Sequence, residues 1–267
     1  MSIATAPDGT PVYYETHGQG PAVLFVHGTG GHHMAWWQQV VALRESYLTV
    51  TMDLRGFGRT PVERAGPTDA RLFVGDVLAV LEEITKAGSG PAVLVGQSIG
   101  ASTALKASLA APQWVAGVVL AASLGGVDDA ELAALARTDR SVANAMPVLD
   151  RLLSPAFQRA HPDKTFLFQQ MGTFNMIKMA DLTNTGEEPV TSSGLAGAPF
   201  PVLLLAGEND AVLTAATARR AGELLPSIDV DVVPDAPHSM YFERPELFNA
   251  SLVRFLEAAF IRNGTPA

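Results

Sequence analysis

The sequence predicts an α/β protein: a mostly parallel, doubly wound sheet of about eight strands, interrupted late in the chain by a helical cap insertion. Three observations carry this. Short apolar runs bounded by glycine or proline alternate with segments whose apolar residues recur at helical spacing, the pattern of βαβ units with helices on both faces of a sheet. The alternation stops at Gly125-Gly126 and resumes at Pro201, and the intervening stretch of about 70 residues is too long for a bare loop. The chain has 267 residues, of which 48% are hydrophobic and 17% charged, enough to bury a large core.

Taken in order, residues 1–17 read as a hairpin, with Asp8-Gly9 as the turn and Val12-Tyr13-Tyr14-Glu15 as a strand. Ala22 to Val26 is a continuous apolar strand that ends in His27-Gly28-Thr29-Gly30-Gly31. Ala35 to Leu43 reads as a short helix, and Leu48 to Met52 as the next strand. Asp69 to Lys86 places Leu72, Phe73, Val77, Val80, Leu81 and Ile84 at helical spacing, with Gly88 as the stop. Ala92-Val93-Leu94-Val95 is a buried strand, the alanine-rich stretch from Ala101 to Ala110 a helix, and Val115 to Ala121 a further strand. Residues 127–197 contain helical patterns and no strand-like apolar run, so they are expected to form the cap between core segments 1–126 and 198–267. The strand Pro201 to Leu205, a helix from about Thr214 to Leu225, the strand Ile228 to Val233 and a helix from Pro245 to about Ile261 complete the core.

Composition narrows the function classes. There is no cysteine, hence no disulfide, thiolate nucleophile or cysteine-based metal site. A net charge of -9 without a lysine or arginine cluster disfavours nucleic acid and anionic membranes as partners. No apolar run approaches the roughly 18 residues needed to span a bilayer. The N-terminal residues have neither a basic start nor an apolar core, so a cytoplasmic protein without a secretory signal is expected. The glycine-rich loop after Val26 lacks the spacing of a phosphate-binding loop, which leaves an oxyanion loop as the better reading.

Gly96-Gln97-Ser98-Ile99-Gly100 lies between a predicted strand and a predicted helix, where a G-x-S-x-G pattern lifts a serine Oγ above the sheet edge. Acyl transfer by such a serine needs a base, a carboxylate to orient the base, and donors for the oxyanion. The base candidate is His238, beyond the last strand, and the carboxylate candidate is Asp210, beyond the strand before it. Other roles stay open at this point. Ser98 or Asp210 would also serve as helix caps, and Asp128, Asp129 or Glu208 would also serve as the acid. His32-His33 invites a metal site, but without a carboxylate partner the pair reads as solvated or packed, and no metal is expected. Asp53 and Arg55 read as a buried structural pair, and His27 as a group bracing its loop. The Phe/Met stripe from Phe166 to Met179 reads as cap core, with Phe166, Phe168, Met171, Phe174 and Met176 as candidate lining of an apolar substrate pocket.

The chain resembles the α/β-hydrolase fold superfamily over nearly its whole length. The resemblance rests on five motifs in order: His27-Gly28-Thr29-Gly30, Asp53-Leu54-Arg55-Gly56-Phe57-Gly58, Gly96-Gln97-Ser98-Ile99-Gly100, Gly207-Glu208-Asn209-Asp210, and Pro237-His238 followed by Glu243-Arg244-Pro245. It implies a Ser98-His238-Asp210 triad, an oxyanion hole from the backbone N–H groups of Thr29 and Ile99, and a cap after the sixth strand. The expected activity is cofactor-free hydrolysis of an ester or lactone of a small hydrophobic substrate, in a chain for which a homodimer stays open. A carbon-carbon bond hydrolase or a perhydrolase would use the same triad. A small-molecule receptor or a biosynthetic cyclase would keep the fold and dispense with turnover.

Overall fold

The alternation of side chains along the strand Ala22–Val26 sets the architecture. Ala22, Leu24 and Val26 join one buried cluster and Val23 and Phe25 the other, because successive strand residues point to opposite faces. A strand apolar on both faces needs cover on both, and helices supply it. The protein, a computed structural model that describes residues 2–62 and 67–264, builds an eight-stranded sheet in this way.

The strands are β1 (Ser2–Thr5), β2 (Pro11–His17), β3 (Ala22–Val26), β4 (Leu48–Met52), β5 (Ala92–Gln97), β6 (Val115–Ala121), β7 (Val202–Gly207) and β8 (Ile228–Val233). Their spatial order is β1-β2-β4-β3-β5-β6-β7-β8. β2 runs antiparallel to both β1 and β4, and every other pairing in the sheet is parallel. The fold class expected from the sequence is therefore the one observed.

Helices α2 (Phe73–Lys86) and α3 (Ile99–Ala110) cover one face, where Phe73, Val77 and Leu81 pack with Leu24 and Leu94. Helix α1 (Trp37–Leu43) and the C-terminal helix (Pro245–Arg262) cover the other, where Trp36, Phe248, Leu252 and Phe260 pack with Phe25 and Val95. Burying one such side chain stabilises the fold by roughly 2 kcal/mol, so the two faces together outweigh any single polar contact described below.

Between β6 and β7 the chain leaves the sheet. It forms α4 (Ala130–Asn144), α5 (Val148–Leu152), α6 (Pro155–Ala160), α7 (Pro162–Met171) and α8 (Ser192–Ala196). Strands are present here too, contrary to the sequence expectation. Val127–Asp128 pairs in parallel with Val190–Thr191, and Thr68–Asp69 with Leu182–Thr183. Two residues are too few to leave an alternating pattern in a sequence. The predicted helix start at Asp69 is also corrected: Asp69 ends a strand bridge, caps a 3-10 turn over Ala70–Leu72, and the α-helix begins at Phe73.

The insertion is fastened to the core at several points. Ser154 donates from its backbone N–H (2.8 Å) and its hydroxyl (2.6 Å) to the Glu243 carboxylate. The Ser239 N–H donates to the Leu152 carbonyl at 3.0 Å, beside His238. Helix α9 (Ala215–Leu224) packs against β8, and α10 (Met240–Glu243) leads into α11 (Pro245–Arg262). Among the described residues no helix is long and apolar enough to cross a membrane.

Candidate active site

Ser98 sits between β5 and α3 with φ 54° and ψ -118°. A non-glycine residue with positive φ costs on the order of 1–3 kcal/mol and persists only where its surroundings force it. Here they do. A Cβ on Gly96 would lie 2.3 Å from the Gly100 carbonyl oxygen, and a Cβ on Gly100 would lie 2.4 Å from that of Val26. Only glycines at these two positions let strand and helix pass closely enough to hold the strained serine. Ser98 occupies the N-cap position of α3, yet its side chain makes no capping hydrogen bond. The capping alternative is thereby removed.

Asp210 and His238 lie in the loops that follow β7 and β8. His238 Nδ1 is 2.9 Å from Asp210 Oδ2 and 3.1 Å from Oδ1, and both residues are buried. The carboxylate also accepts the N–H groups of Val212 (2.7 Å) and Leu213 (3.1 Å), which fix its plane. With Nδ1 donating to Asp210, Nε2 is the nitrogen left to accept a proton. Glycine again makes the approach possible: a Cβ on Gly207 would lie 2.4 Å from the Ala236 carbonyl oxygen, so a side chain there would push the two loops apart. The rival acids are engaged elsewhere. Asp129 caps α4 through the Leu132 N–H, Asp128 is exposed, and exposed Glu208 accepts the Asp235 N–H at 3.0 Å. Nor does Asp210 cap α9, a role taken by Thr214.

Thr29 lies in a turn closed by the Gly31 N–H donating to the Gly28 carbonyl at 3.0 Å. His27 braces that turn. Its Nε2 accepts the Leu54 N–H at 3.0 Å, so the ring proton is on Nδ1, which donates to the Gly28 carbonyl at 2.8 Å. Burial lowers the His27 pKa, which keeps the ring neutral as this arrangement requires. Ile99 is the first residue of α3, where a helix N–H has no partner within the helix. Both amides therefore sit at the carboxyl edge of the parallel strands, where the loops carrying Asp210 and His238 also emerge.

Two expectations around the glycine loop need correction. Asp53 and Arg55 do not pair with each other. Arg55 donates to Asp76 and Asp8, whereas Asp53 takes the His33 Nδ1 at 2.9 Å, the His33 N–H at 2.6 Å and the Arg59 N–H at 2.8 Å. Side chains two apart in an irregular loop diverge, and no sequence spacing reveals a partner twenty residues away. His33 consequently does have a carboxylate neighbour. One ligand-type atom from each of His32, His33 and Asp53 lies within 4.8 Å of the others. Most of these atoms are engaged: Asp53 holds three donors, His33 Nδ1 is one of them, and His32 Nδ1 accepts the Met34 N–H at 3.3 Å, whereas the buried His32 Nε2 has no hydrogen-bond partner among the described residues. The donor set reads as a brace.

The five pocket candidates do not form one lining. Met171 is buried and Phe168 packs edge-on against Phe242, with ring centroids 5.0 Å apart. Phe166, Phe174 and Met176 are exposed. Residues 166 to 168 are consecutive on α7, about 100° apart around the axis, so they cannot share a face. The expected cap-core stripe is thus split between core and surface. Asn175, which the sequence reading passed over, joins the insertion to the glycine loop through the Gly31 carbonyl. No spacing rule could have signalled it.

Comparison with known proteins agrees with this architecture. A protein of Mycobacterium tuberculosis, provisionally named non-heme bromoperoxidase BpoC, is 30% identical over 260 residues, covering 91% of this chain and 96% of its own. A solved thermophilic esterase from Thermogutta terrifontis superposes with a TM-score of 0.80 at 23% identity, covering 96% of this chain and 98% of its own. Est816, an N-acyl homoserine lactone degrading enzyme, superposes with a TM-score of 0.75 at 25% identity, over 94% and 99% of the two chains. The model of the alpha/beta hydrolase family matches residues 23–251. With that span, the eight-stranded sheet and the strained serine between β5 and α3, the chain belongs to the alpha/beta hydrolase family.

Proposed function

We propose that this protein is a serine hydrolase that cleaves a carboxylic ester or lactone of a small hydrophobic substrate through an acyl-enzyme. The observation that carries the reading is Ser98, held at φ 54° with its hydroxyl free of any capping role, on the same sheet edge as the 2.9 Å His238-Asp210 pair. In this reading His238 Nε2 takes the Ser98 proton as Oγ attacks the carbonyl carbon, and Asp210 stabilises the imidazolium. The tetrahedral oxyanion is held by the N–H groups of Thr29 and Ile99, each worth about 3 kcal/mol in such sites. Collapse expels the alcohol, which takes the proton from His238. Water, deprotonated by His238, then releases the acid. No cofactor enters the balance.

Residues 127–197 act as the cap over core segments 1–126 and 198–267. The net charge of -9 favours a neutral substrate over an anion. The similarity to a lactone-degrading enzyme supports a lactone as one substrate form. The 30% identity to a protein bearing a bromoperoxidase name favours a second reading, in which hydrogen peroxide replaces water at the acyl-enzyme and releases a peracid.

The test is labelling with a fluorophosphonate followed by intact-mass analysis, beside Ser98→Ala. A single adduct on wild type, absent from Ser98→Ala, with turnover of aryl esters or lactones, is the expected result. Labelling that survives Ser98→Ala sinks the mechanism. Peracid formation from acetate and peroxide at a rate above ester hydrolysis would shift the assignment to the second reading.

A further inference from the structure

The cap reaches the glycine loop directly. Asn175 Nδ2 donates to the Gly31 carbonyl at 3.1 Å, and its Oδ1 accepts the Gly58 N–H at 3.1 Å. The next two residues continue the seam: the N–H groups of Met176 and Ile177 both donate to the Gly56 carbonyl, at 2.9 and 3.2 Å. Phe174, one residue earlier, sets its ring edge-on against His32, with centroids 6.0 Å apart. Gly31 closes the turn that presents the Thr29 N–H, since its own N–H donates to the Gly28 carbonyl. One half-buried side chain of the insertion therefore holds the last residue of that turn against the loop after β4.

We propose that Asn175 is a positioning residue that couples the seating of the cap to the oxyanion hole. The inference rests on the serine-hydrolase reading and extends it. A primary amide suits the position because it donates and accepts at once, and its two bonds run to opposite sides of the seam. When the seam is closed, the carbonyl of Gly31 is fixed and the turn holds the Thr29 N–H in place. When the segment around Asn175 lifts, that carbonyl loses its partner and the turn is free to relax. The oxyanion hole is then complete only beneath a seated cap, which ties the chemical step to enclosure of the substrate. Asn175 touches no reacting atom in this scheme. It acts through Gly31 and Thr29.

The decisive variant is Asn175→Asp, which keeps the acceptor for Gly58 and replaces the donor to Gly31 with a repelling carboxylate. Asn175→Ala removes both arms and serves if the first variant does not fold. Thr173→Ala is the control, because among the described residues that exposed hydroxyl bonds only to the Gln170 carbonyl. Kinetics with an aryl ester and inhibition by an aryl boronate, which forms a tetrahedral adduct on the serine, are measured on all forms. The expected result is a kcat lowered about ten- to a hundred-fold with KM changed less than about three-fold, and boronate binding weakened in proportion to kcat. Thr173→Ala should match wild type. Unchanged kcat, or a loss of thermal stability with boronate binding intact, would overturn the coupling and leave Asn175 as a structural clip. Fluorophosphonate labelling of wild type separates the two failures: if Ser98 does not label, the hydrolase reading fails and the coupling falls with it, whereas labelled Ser98 with indifferent Asn175 variants sinks the coupling alone.

Discussion

Among the described residues, two Asp-His pairs have nearly the same local geometry. Asp210 lies 2.9 Å from His238 Nδ1, and Asp53 lies 2.9 Å from His33 Nδ1. Both carboxylates are fully shielded and both also accept two main-chain N–H groups. The difference is at the far nitrogen. His33 Nε2 faces Glu15, with Oε1 3.9 Å away, and its ring packs against Tyr13 with centroids 5.1 Å apart. Among the described residues, the only acid paired with His238 is Asp210 on Nδ1, and the ring belongs to the loop edge that also carries Ser98. In the proposed mechanism, a carboxylate-oriented imidazole is a structural brace or a base according to what its second nitrogen meets.

The largest expected effect breaks the symmetry between the two histidines. His238→Gln should lower kcat by about 10⁴- to 10⁶-fold while leaving the melting temperature within a few degrees, as when the base of a serine triad is lost. His33→Gln should do the reverse: kcat within about ten-fold of wild type, and stability lowered by about 2–4 kcal/mol because the buried Asp53 carboxylate loses a partner. Stopped assays beside thermal melts decide it. If His33→Gln proves as inactive as His238→Gln at unchanged stability, the division into base and brace is wrong.

The carboxylates sharpen the same contrast. Asp210→Asn should cost about 10⁴ in kcat by favouring the wrong histidine tautomer, with little structural loss. Asp53→Asn should cost about 3–5 kcal/mol of stability, enough to move the melting temperature by roughly 10 °C in a chain of this size. Its side chain keeps one acceptor where the carboxylate held three donors.

This contrast marks what the sequence could reveal. The strands were legible because apolar runs such as Ala22–Val26 and Val115–Ala121 are buried on both faces. Ser98 and Asp210 stood out as candidates because each follows such a run, and His238 because it follows the last strand, whose apolar residues alternate with Asp229 and Asp231. Asp53 was legible as buried but not as the partner of His33, since nothing in a one-dimensional spacing distinguishes the neighbour two residues on from the one twenty residues back. The bridges at Thr68–Asp69 and Val190–Thr191 were too short to carry a period. Side chains of the insertion such as Phe166 and Phe174, read as core or pocket from their apolar character, are exposed, because that character alone does not say whether a side chain meets the core or awaits a ligand.

A third effect separates the surroundings of the two pairs by pH. Burial holds the His32 pKa down at about 4, from the usual 6.5, and lowers that of His27 as well. Both rings are neutral in the folded state at pH values where the unfolded chain protonates them. The unfolded state therefore binds more protons below about pH 6.5, and stability contributed by these rings is present above that value and lost as pH falls toward 4. For His32 the loss is at most about 3 kcal/mol. His32→Asn, which retains an acceptor for the Met34 N–H, should flatten the stability profile between pH 6.5 and 4. An unchanged slope would place the effect elsewhere.

The smallest expected effect tests whether Glu15 is what keeps His33 from acting as a second base. Glu15 is held below its usual pKa: burial pushes it up, but hydrogen bonds from Tyr13 and His17 and the charge of His33 prevail. It is then an anion facing His33 Nε2 at pH 7. Glu15→Gln removes that charge and should alter stability by less than about 1 kcal/mol, because the carboxylate is partly exposed and screened. The more informative readout is labelling. Among the described residues Ser98 is the only serine with positive φ, so freeing His33 Nε2 should create no new nucleophile, and the variant should still take up one fluorophosphonate per chain. A second adduct in Glu15→Gln would mean that the outer nitrogen, and not the nucleophile opposite it, was the missing ingredient, and the distinction between brace and base would fall.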